Sequence, residues 1–355
     1  MQARDWLPIV ERYAAPVASR SAWQLTTTLA LFAGLYTAMF ALAAEHYPLV
    51  LVLAVPTACV MVRGFSIQHD CQHGAYFARR RLAVWVGRLL CLVTLVPNGH
   101  HRRLHAVHHA VTGRLDKRHA QPGSFPRTAA DFDLITVAEF RALPPRARRL
   151  YRFLRDPLVI FTIVPLYLFL FSYRVPVLHP TSRGRGWIST QGTNLALAGA
   201  LGLGVALAGA RPLFAVFAPT LICYVTIGVW LFYVQHQFEH TSWRAGRDWD
   251  YREAALRGSS YLALPRLLHW LTGNIGIHHV HHLCPAIPNY RLADCLRDHP
   301  ALAQVSRVGV ADSLRMLRLA LWDEDRGRLV AFSELDELRQ LAAPAQTASS
   351  PVTMR

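Results

Sequence analysis

None of the six cysteines stands in a CxxC pair, so neither a disulfide framework nor a thiolate metal site is indicated. Charge is also scarce. Only 17% of the 355 residues are Asp, Glu, Lys or Arg, and residues 23–44, 49–62, 193–210 and 212–234 carry no formal charge at all. A bilayer core needs about 20 apolar residues per helix. These stretches approach or exceed that, the second by running on towards Ile67. With 52% hydrophobic residues and a mean hydropathy of +0.20, the chain is read as an integral membrane protein rather than an ordinary soluble domain. A cleavable signal is not expected: residues 1–22 hold Arg4, Asp5, Glu11, Arg12 and Arg20 with no small-residue cleavage site behind an apolar run, so the first apolar helix is expected to be retained. There is no internal repeat, and residues 341–355 read as a disordered tail.

The formal net charge is +16, almost all of its cations arginine. These arginines flank apolar segments instead of forming one basic domain, which argues against a nucleic-acid partner. They fit cytoplasmic loops facing anionic headgroups. The loop at 45–48 has no Lys or Arg while the N-terminal stretch has three arginines, so the N-terminus is expected in the cytoplasm, with His69 at the cytoplasmic mouth of the second helix. The stretch 82–97 is short and interrupted by Arg88, and is read as in-plane or re-entrant. Segment 157–172 is arginine-rich on both flanks, which makes it a non-crossing helix, kinked at Pro165. Residues 193–210 and 212–234 then form a hairpin turning at Arg211-Pro212. The expected fold is all-α: four transmembrane helices in two hairpins, in-plane or re-entrant helices, and a cytoplasmic histidine-rich metal cap, all within one unit over 23–340.

Most of the 18 histidines sit in clusters. His69 and His73 are four apart and share a helical face. His105, His108 and His109 repeat the pattern H-x-x-H-H, as do His278, His281 and His282. His236 and His240 form a looser pair beyond the last apolar run. Burying imidazoles without partners is costly, so packing alone explains the set poorly. One structural zinc takes about four ligands, so this many imidazoles suits two ions. Imidazole accommodates Zn, Cu, Fe and Ni, and ligand type alone does not select among them. His100, His101 and His279 fall off the chosen faces and are read as supporting or solvent-facing. Asp70, Asp116 and Glu239 could orient imidazoles from outside the ligand set, with His240 and Asn274 as further candidates.

In this order around two membrane hairpins, "HDCQHGAYF", "HAVHHAVTGRLDKR", "WLFYVQHQFEHTSW", "HWLTGNIGIHHVHHLCPAIPNY" and "LRLALWDEDRGRLVAF" resemble the membrane fatty-acyl desaturases. They resemble most closely the omega-6 (delta-12) acyl-lipid branch, over about residues 55–332. The resemblance implies two iron ions, O2 as co-substrate, a fatty-acyl lipid substrate, and a separate ferredoxin-like or cytochrome-like electron donor. It places the ligands on His69, His73, His105, His108, His109, His278, His281 and His282, with His236 matching a further imidazole and His240 competing for it. Gln72 stands where glycine is frequent, His101 where an aromatic is frequent, and His240 where an acidic residue is usual. A bacterial inner membrane, with metal site and termini on the cytoplasmic side, is the expected location. Fatty-acyl hydroxylases and carotenoid ketolases share the same boxes and differ in product. A transporter would show polar residues along its crossing helices, and the four apolar stretches have almost none.

Overall fold

The computed structural model describes residues 3–117, 134–175 and 184–335; the expected tail at 341–355 lies outside them. Helix α1 (Ala3–Val10) leads into α2 (Ala18–Leu42), and α3 (Tyr47–His73) returns antiparallel to it. Helices α4 (Arg80–Thr94) and α5 (Asn98–Val111) follow, then α6 (Val137–Ala142), α7 (Pro145–Leu154) and a largely π-wound α8 (Val159–Ser172). The second long pair is α9 (Arg185–Ala208) and α10 (Ala210–His236). Short elements complete the chain: α11 (Tyr251–Arg257), α12 (Arg266–Leu271), α13 (His278–Leu283), α14 (Asn289–Asp298) and α15 (Val310–Met316).

Among the described residues four helices, α2, α3, α9 and α10, are long and apolar enough to cross a membrane; two bent pairs would add two spans if each counted as one. Both α3 and α10 run for 27 residues. At 1.5 Å per residue each extends about 40 Å, some 10 Å beyond a hydrocarbon core of about 30 Å. Their last turns, which carry His69, His73 and His236, therefore project from the apolar slab into the cap. Helix α3 is the central one: 67% of its apolar window is buried, against 11% for α2 and 6% for the span of α9. The outer helices are left to lipid. Arg63, buried within α3, is satisfied by neutral groups: Nε donates to Thr28 Oγ1 at 3.0 Å, another guanidinium N–H donates to the Trp270 carbonyl, and the cation lies 4.2 Å from the Trp270 ring centroid.

Several sequence expectations shift. The second hairpin turns at Gly209, whose φ of 83° favours glycine, and Arg211-Pro212 lie inside α10 because proline is tolerated in a first turn. Residues 82–97 comprise most of α4 and the short linker before α5, and the two helices bend by 99° across that linker. The break near 157–172 falls before α8, a 58° bend between α7 and α8; Pro165 sits inside α8, where the wide winding on either side absorbs the missing N–H. Two small sheets join the helices. Strand β1 (Ile135–Thr136) runs parallel to β4 (Leu319–Asp323), which pairs antiparallel with β5 (Arg328–Ala331); β2 (Tyr261–Ala263) runs parallel to β3 (Arg307–Gly309). In the cap, Trp6 and Val10 of α1 pack with Leu283, Ile287, Leu292 and Cys295, so the N-terminal segment braces α13 and α14 from below.

Candidate metal centre

Four elements deliver imidazoles to one place. Helix α3 ends at Gly74, in the left-handed conformation (φ 75°), so that His69 and His73 occupy its last two turns. Helix α5 brings His105, His108 and His109, the end of α10 brings His236, and α13 brings His278, His281 and His282. They sort into two groups whose donor nitrogens lie within 4.8 Å of one another: His69, His73, His105, His109 and His281; and His108, His236, His278 and His282. All are buried except His73, which is partly exposed.

Each H-x-x-H-H triplet is divided between the groups. Adjacent helical residues point about 100° apart, so His108 turns away from His109 to the second group. In α13, His281 joins the first group while His278 and His282 join the second.

In the first group, His69 Nε2 is 2.7 Å and His109 Nε2 2.9 Å from His105 Nε2, and His281 Nε2 is 3.2 Å from His109 Nε2. In the second, the Nε2 atoms close a ring: His108–His236 3.1 Å, His236–His278 3.1 Å, His278–His282 3.0 Å and His282–His108 3.3 Å. A neutral imidazole has one N–H and one lone pair. His236 Nδ1 lies 3.2 Å from the Gly258 carbonyl, so its proton is there and its Nε2 lone pair faces the ring. Burial pushes His278, His281 and His282 well below the usual imidazole pKa, which keeps them neutral. Lone pairs converging in an apolar shell repel unless a cation lies between them. Imidazole nitrogens about 2.0–2.1 Å from an ion are separated by about 3.0–3.4 Å on adjacent coordination positions, and the second group matches that spacing throughout. Both groups fit a transition-metal ion, and neither includes a carboxylate.

Asp70 supports the first group. Its Oδ1 is 3.4 Å from His69 Nδ1, and its Oδ2 accepts from Asn289 N at 2.6 Å and Asn289 Nδ2 at 2.7 Å. Gln24 Nε2 in turn donates to Asn289 Oδ1 at 2.7 Å. Neither Gln24 nor Asn289 emerges from the sequence pattern, because each acts through a residue remote in the chain. Asn274 supports at one remove, donating from Nδ2 to the Asn289 carbonyl at 3.1 Å.

Three candidates lie outside both groups. Asp116 is held by Arg114 at 3.1 Å and Gly246 N at 3.2 Å. Glu239 pairs with Arg328 at 3.0 Å. His240 is exposed and lines a polar surface cleft, because α10 ends at His236 and the chain turns before His240. His100 and His279 are fully buried, not solvent-facing. His279 Nε2 bonds the Leu302 carbonyl at 3.0 Å and so ties α13 to the segment beneath it. His101 Nδ1 bonds Gln72 Oε1 at 2.8 Å.

Beside both groups lies an apolar cavity of about 130 Å³, walled by Val62, Phe65, Phe169, Tyr224, Gly228 and Phe232 among others, and reaching His69, His105, His108 and His278. Comparison with known proteins bears on what it serves. The fatty acid desaturase family model matches residues 45–310. This chain belongs to the fatty acid desaturase family. A fatty acid desaturase of Bacillus subtilis is 36% identical over 93% of this chain and 90% of its own length. The sn-1 oleoyl-lipid 12-desaturase of Synechocystis is 26% identical over 66% of this chain and 64% of its own. The sn-1 acyl-lipid omega-3 desaturase (ferredoxin) of the same organism is 26% identical over 64% and 61%. The desaturase is thus an oxidoreductase and, by its four apolar helices, a membrane protein.

Proposed function

We propose that this desaturase introduces a cis double bond into the acyl chain of a membrane lipid, with O2 and two electrons, at two iron ions. His69, His73, His105, His109 and His281 would hold one ion, and His108, His236, His278 and His282 the other. The observation that carries this reading is that both imidazole groups border one apolar cavity. An unactivated methylene offers no proton to a side-chain base, so the oxidising power must come from bound metal and O2. The iron pair, when bound and supplied with electrons, provides that oxidant.

The chain itself does the rest. The cavity walls bind the acyl segment and exclude water, which fixes one pair of C–H bonds near the imidazoles. Asp70, gripped by Asn289, sets the orientation of His69, and the Gly258 carbonyl sets that of His236. The names of the Synechocystis relatives, which speak of acyl or oleoyl lipid and of ferredoxin, favour an acyl-lipid substrate and a separate protein donor, ferredoxin-like or cytochrome-like. The arginine-rich loops favour an orientation with the metal groups and both termini on the cytoplasmic side, and the Bacillus subtilis relative favours a bacterial inner membrane.

The test is expression in a host with only saturated and monounsaturated lipids, with an active donor, followed by fatty-acid profiling and iron analysis of the purified protein. New cis double bonds and about two irons per chain are expected. Unchanged lipids, an alcohol or ketone as product, or well-folded protein without iron would refute the reading.

A further inference from the structure

Four large apolar side chains stand exposed on two short helices between the last long helix and the C-terminal strands. Leu267 and Trp270 on α12 are 66% and 43% exposed, and Val310 and Leu314 on α15 are 39% and 59% exposed. Residues three or four apart share a helical face, so each helix turns one apolar face outward. The two faces adjoin. Strands β2 and β3 run parallel with Ala263 opposite Gly309, so α12 and α15 leave the same end of one strand pair. Leu268 also packs in one apolar cluster with Met316 and Leu317. Single exposed apolar residues are ordinary, but an adjoining set of them marks an interaction surface.

Arg63 fixes the depth of this surface. The turn between α2 and α3 bounds the hydrocarbon on the side away from the imidazoles. Counted from Leu42 on α2, Thr28 is 14 residues away; counted from Tyr47 on α3, Arg63 is 16 residues away. At about 1.5 Å per residue these are about 21 Å and 24 Å from the turn. A hydrocarbon core of about 30 Å extends about 6–9 Å past both, and any helix tilt only deepens them. Thr28 is a short side chain, and it holds Arg63 Nε at 3.0 Å; the Trp270 ring centroid lies 4.2 Å from the same guanidinium. The exposed Trp270 ring therefore sits close to the hydrocarbon boundary, where tryptophan is enriched in membrane proteins.

The charges beside the apolar face have one sign in excess. Residues 264–271 and 305–318 hold Arg266, Arg307, Arg315 and Arg318 against one carboxylate, Asp312. All five are exposed, and Asp312 pairs with Arg315 at 3.4 Å. Helix α12 packs on α3 and α15 on β2 and β3. Those strands carry no carboxylate, and the one on α3, Asp70, is buried and bound by Asn289. Arg266, Arg307 and Arg318 thus remain to meet anions from outside. An apolar face at the hydrocarbon boundary with arginines beside it matches a leaflet that carries anionic headgroups.

We propose that α12 and α15 lie in the plane of the leaflet nearest the imidazoles, with Leu267, Trp270, Val310 and Leu314 among the acyl chains and Arg266, Arg307 and Arg318 on anionic lipid headgroups. Only residues 272–277 separate α12 from His278, so this seat holds the imidazoles of α13 at headgroup level.

The test uses the full-length protein in nanodiscs of phosphatidylcholine and phosphatidylglycerol in equal parts. An environment-sensitive fluorophore is attached to Leu267→Cys or Leu314→Cys, with Leu203→Cys on α9 as the lipid-facing reference and Ala245→Cys as the water-facing one; both reference sites are exposed. The native cysteines are buried or partly buried, and labelled wild type supplies the blank. Labels at 267 and 314 should be quenched by lipids carrying a nitroxide near the headgroup, more than by lipids carrying it near the chain end, and should escape the aqueous iodide that quenches the label at 245. Iodide quenching equal to that at 245 would overturn the proposal, and so would protection from both quenchers, the sign of a protein partner or a second copy. A label at 203 that reads lipid shows that each preparation is folded. The headgroup claim is read by native mass spectrometry of detergent-purified protein offered both lipids. Joint substitution of Arg266→Gln, Arg307→Gln and Arg318→Gln should lower the ratio of bound phosphatidylglycerol to phosphatidylcholine about fivefold or more, since one arginine near an anionic surface is worth about fivefold. An unchanged ratio would overturn that claim. Neither readout uses iron or turnover, so a chain that holds no iron or makes no double bond defeats the functional reading and leaves this proposal to its own result.

Discussion

Gly228 offers the sharpest measurement of how the cavity is used. It forms part of the cavity wall, and a Cβ placed on it meets nothing within 4 Å, so any larger side chain there grows into the cavity. Gly228, Phe232 and His236 are spaced four apart on α10 and lie on one face. Eight residues at 1.5 Å put Gly228 about 12 Å from His236 along the axis. An extended acyl chain advances about 1.3 Å per carbon, given C–C bonds of about 1.5 Å. Position 228 thus faces the chain about nine or ten carbons beyond the metal end. The surroundings are apolar, so this part of the chain is its methyl-terminal segment. A leucine there reaches about 4 Å into the cavity and displaces about three methylenes. At about 0.8 kcal/mol for each buried methylene the loss is about 2.4 kcal/mol, or some fiftyfold in kcat/KM between a chain that needs the space and one about three carbons shorter. Gly228→Ala should cost about one methylene, some fourfold. The assay is competition between two acyl chain lengths in cells expressing wild type, Gly228→Ala or Gly228→Leu, with products resolved by gas chromatography and iron content checked on purified protein. Leucine favours a helix over glycine, so misfolding is not the expected failure. An unchanged chain-length profile at equal iron content would show that the substrate does not lie in this cavity.

The remaining predictions concern the metal groups. His236→Ala should reduce bound iron towards one ion per chain while His240→Ala leaves it unchanged; equal effects would contradict the grouping. Asp70→Ala strands buried donors of Asn289 and should destabilise the fold by about 1–3 kcal/mol. It should also weaken iron affinity about 10–100-fold, measured by thermal midpoint and by chelator competition. Acid should destabilise the metal-free protein. The folded-state pKa values of His278, His281 and His282 are depressed by burial, so above the unfolded value of about 6.5 these groups contribute nothing to the pH dependence. Below it the unfolded chain takes up protons that the folded state refuses. Stability then falls by about 1.4 kcal/mol per pH unit for each such histidine, and a denaturation midpoint flat from pH 7 to 5 would refute their buried neutral state.

The sequence by itself determined the membrane class, the four apolar helices, and which stretches hold the imidazoles. Hydropathy needs only a run of residues, and an i, i+4 pair needs only a helix; both are local. The sequence also narrowed the extra imidazole to His236 or His240, but where α10 ends is what brings His236 into the group and leaves His240 at the surface. Only the tertiary structure decided how the imidazoles divide. His105 and His109 part from His108, and His281 from His278 and His282, because the partners they meet come from helices far apart in the chain. The same holds for Asn289, which supports Asp70 from more than 200 residues away, for Gln24, which reaches Asn289 over a still longer separation, and for the placing of Asp116 and Glu239 against arginines instead of histidines. The small sheets escaped for a related reason: strands of two to five residues leave too short a period to read, and their pairing is settled by neighbours that only the folded chain supplies.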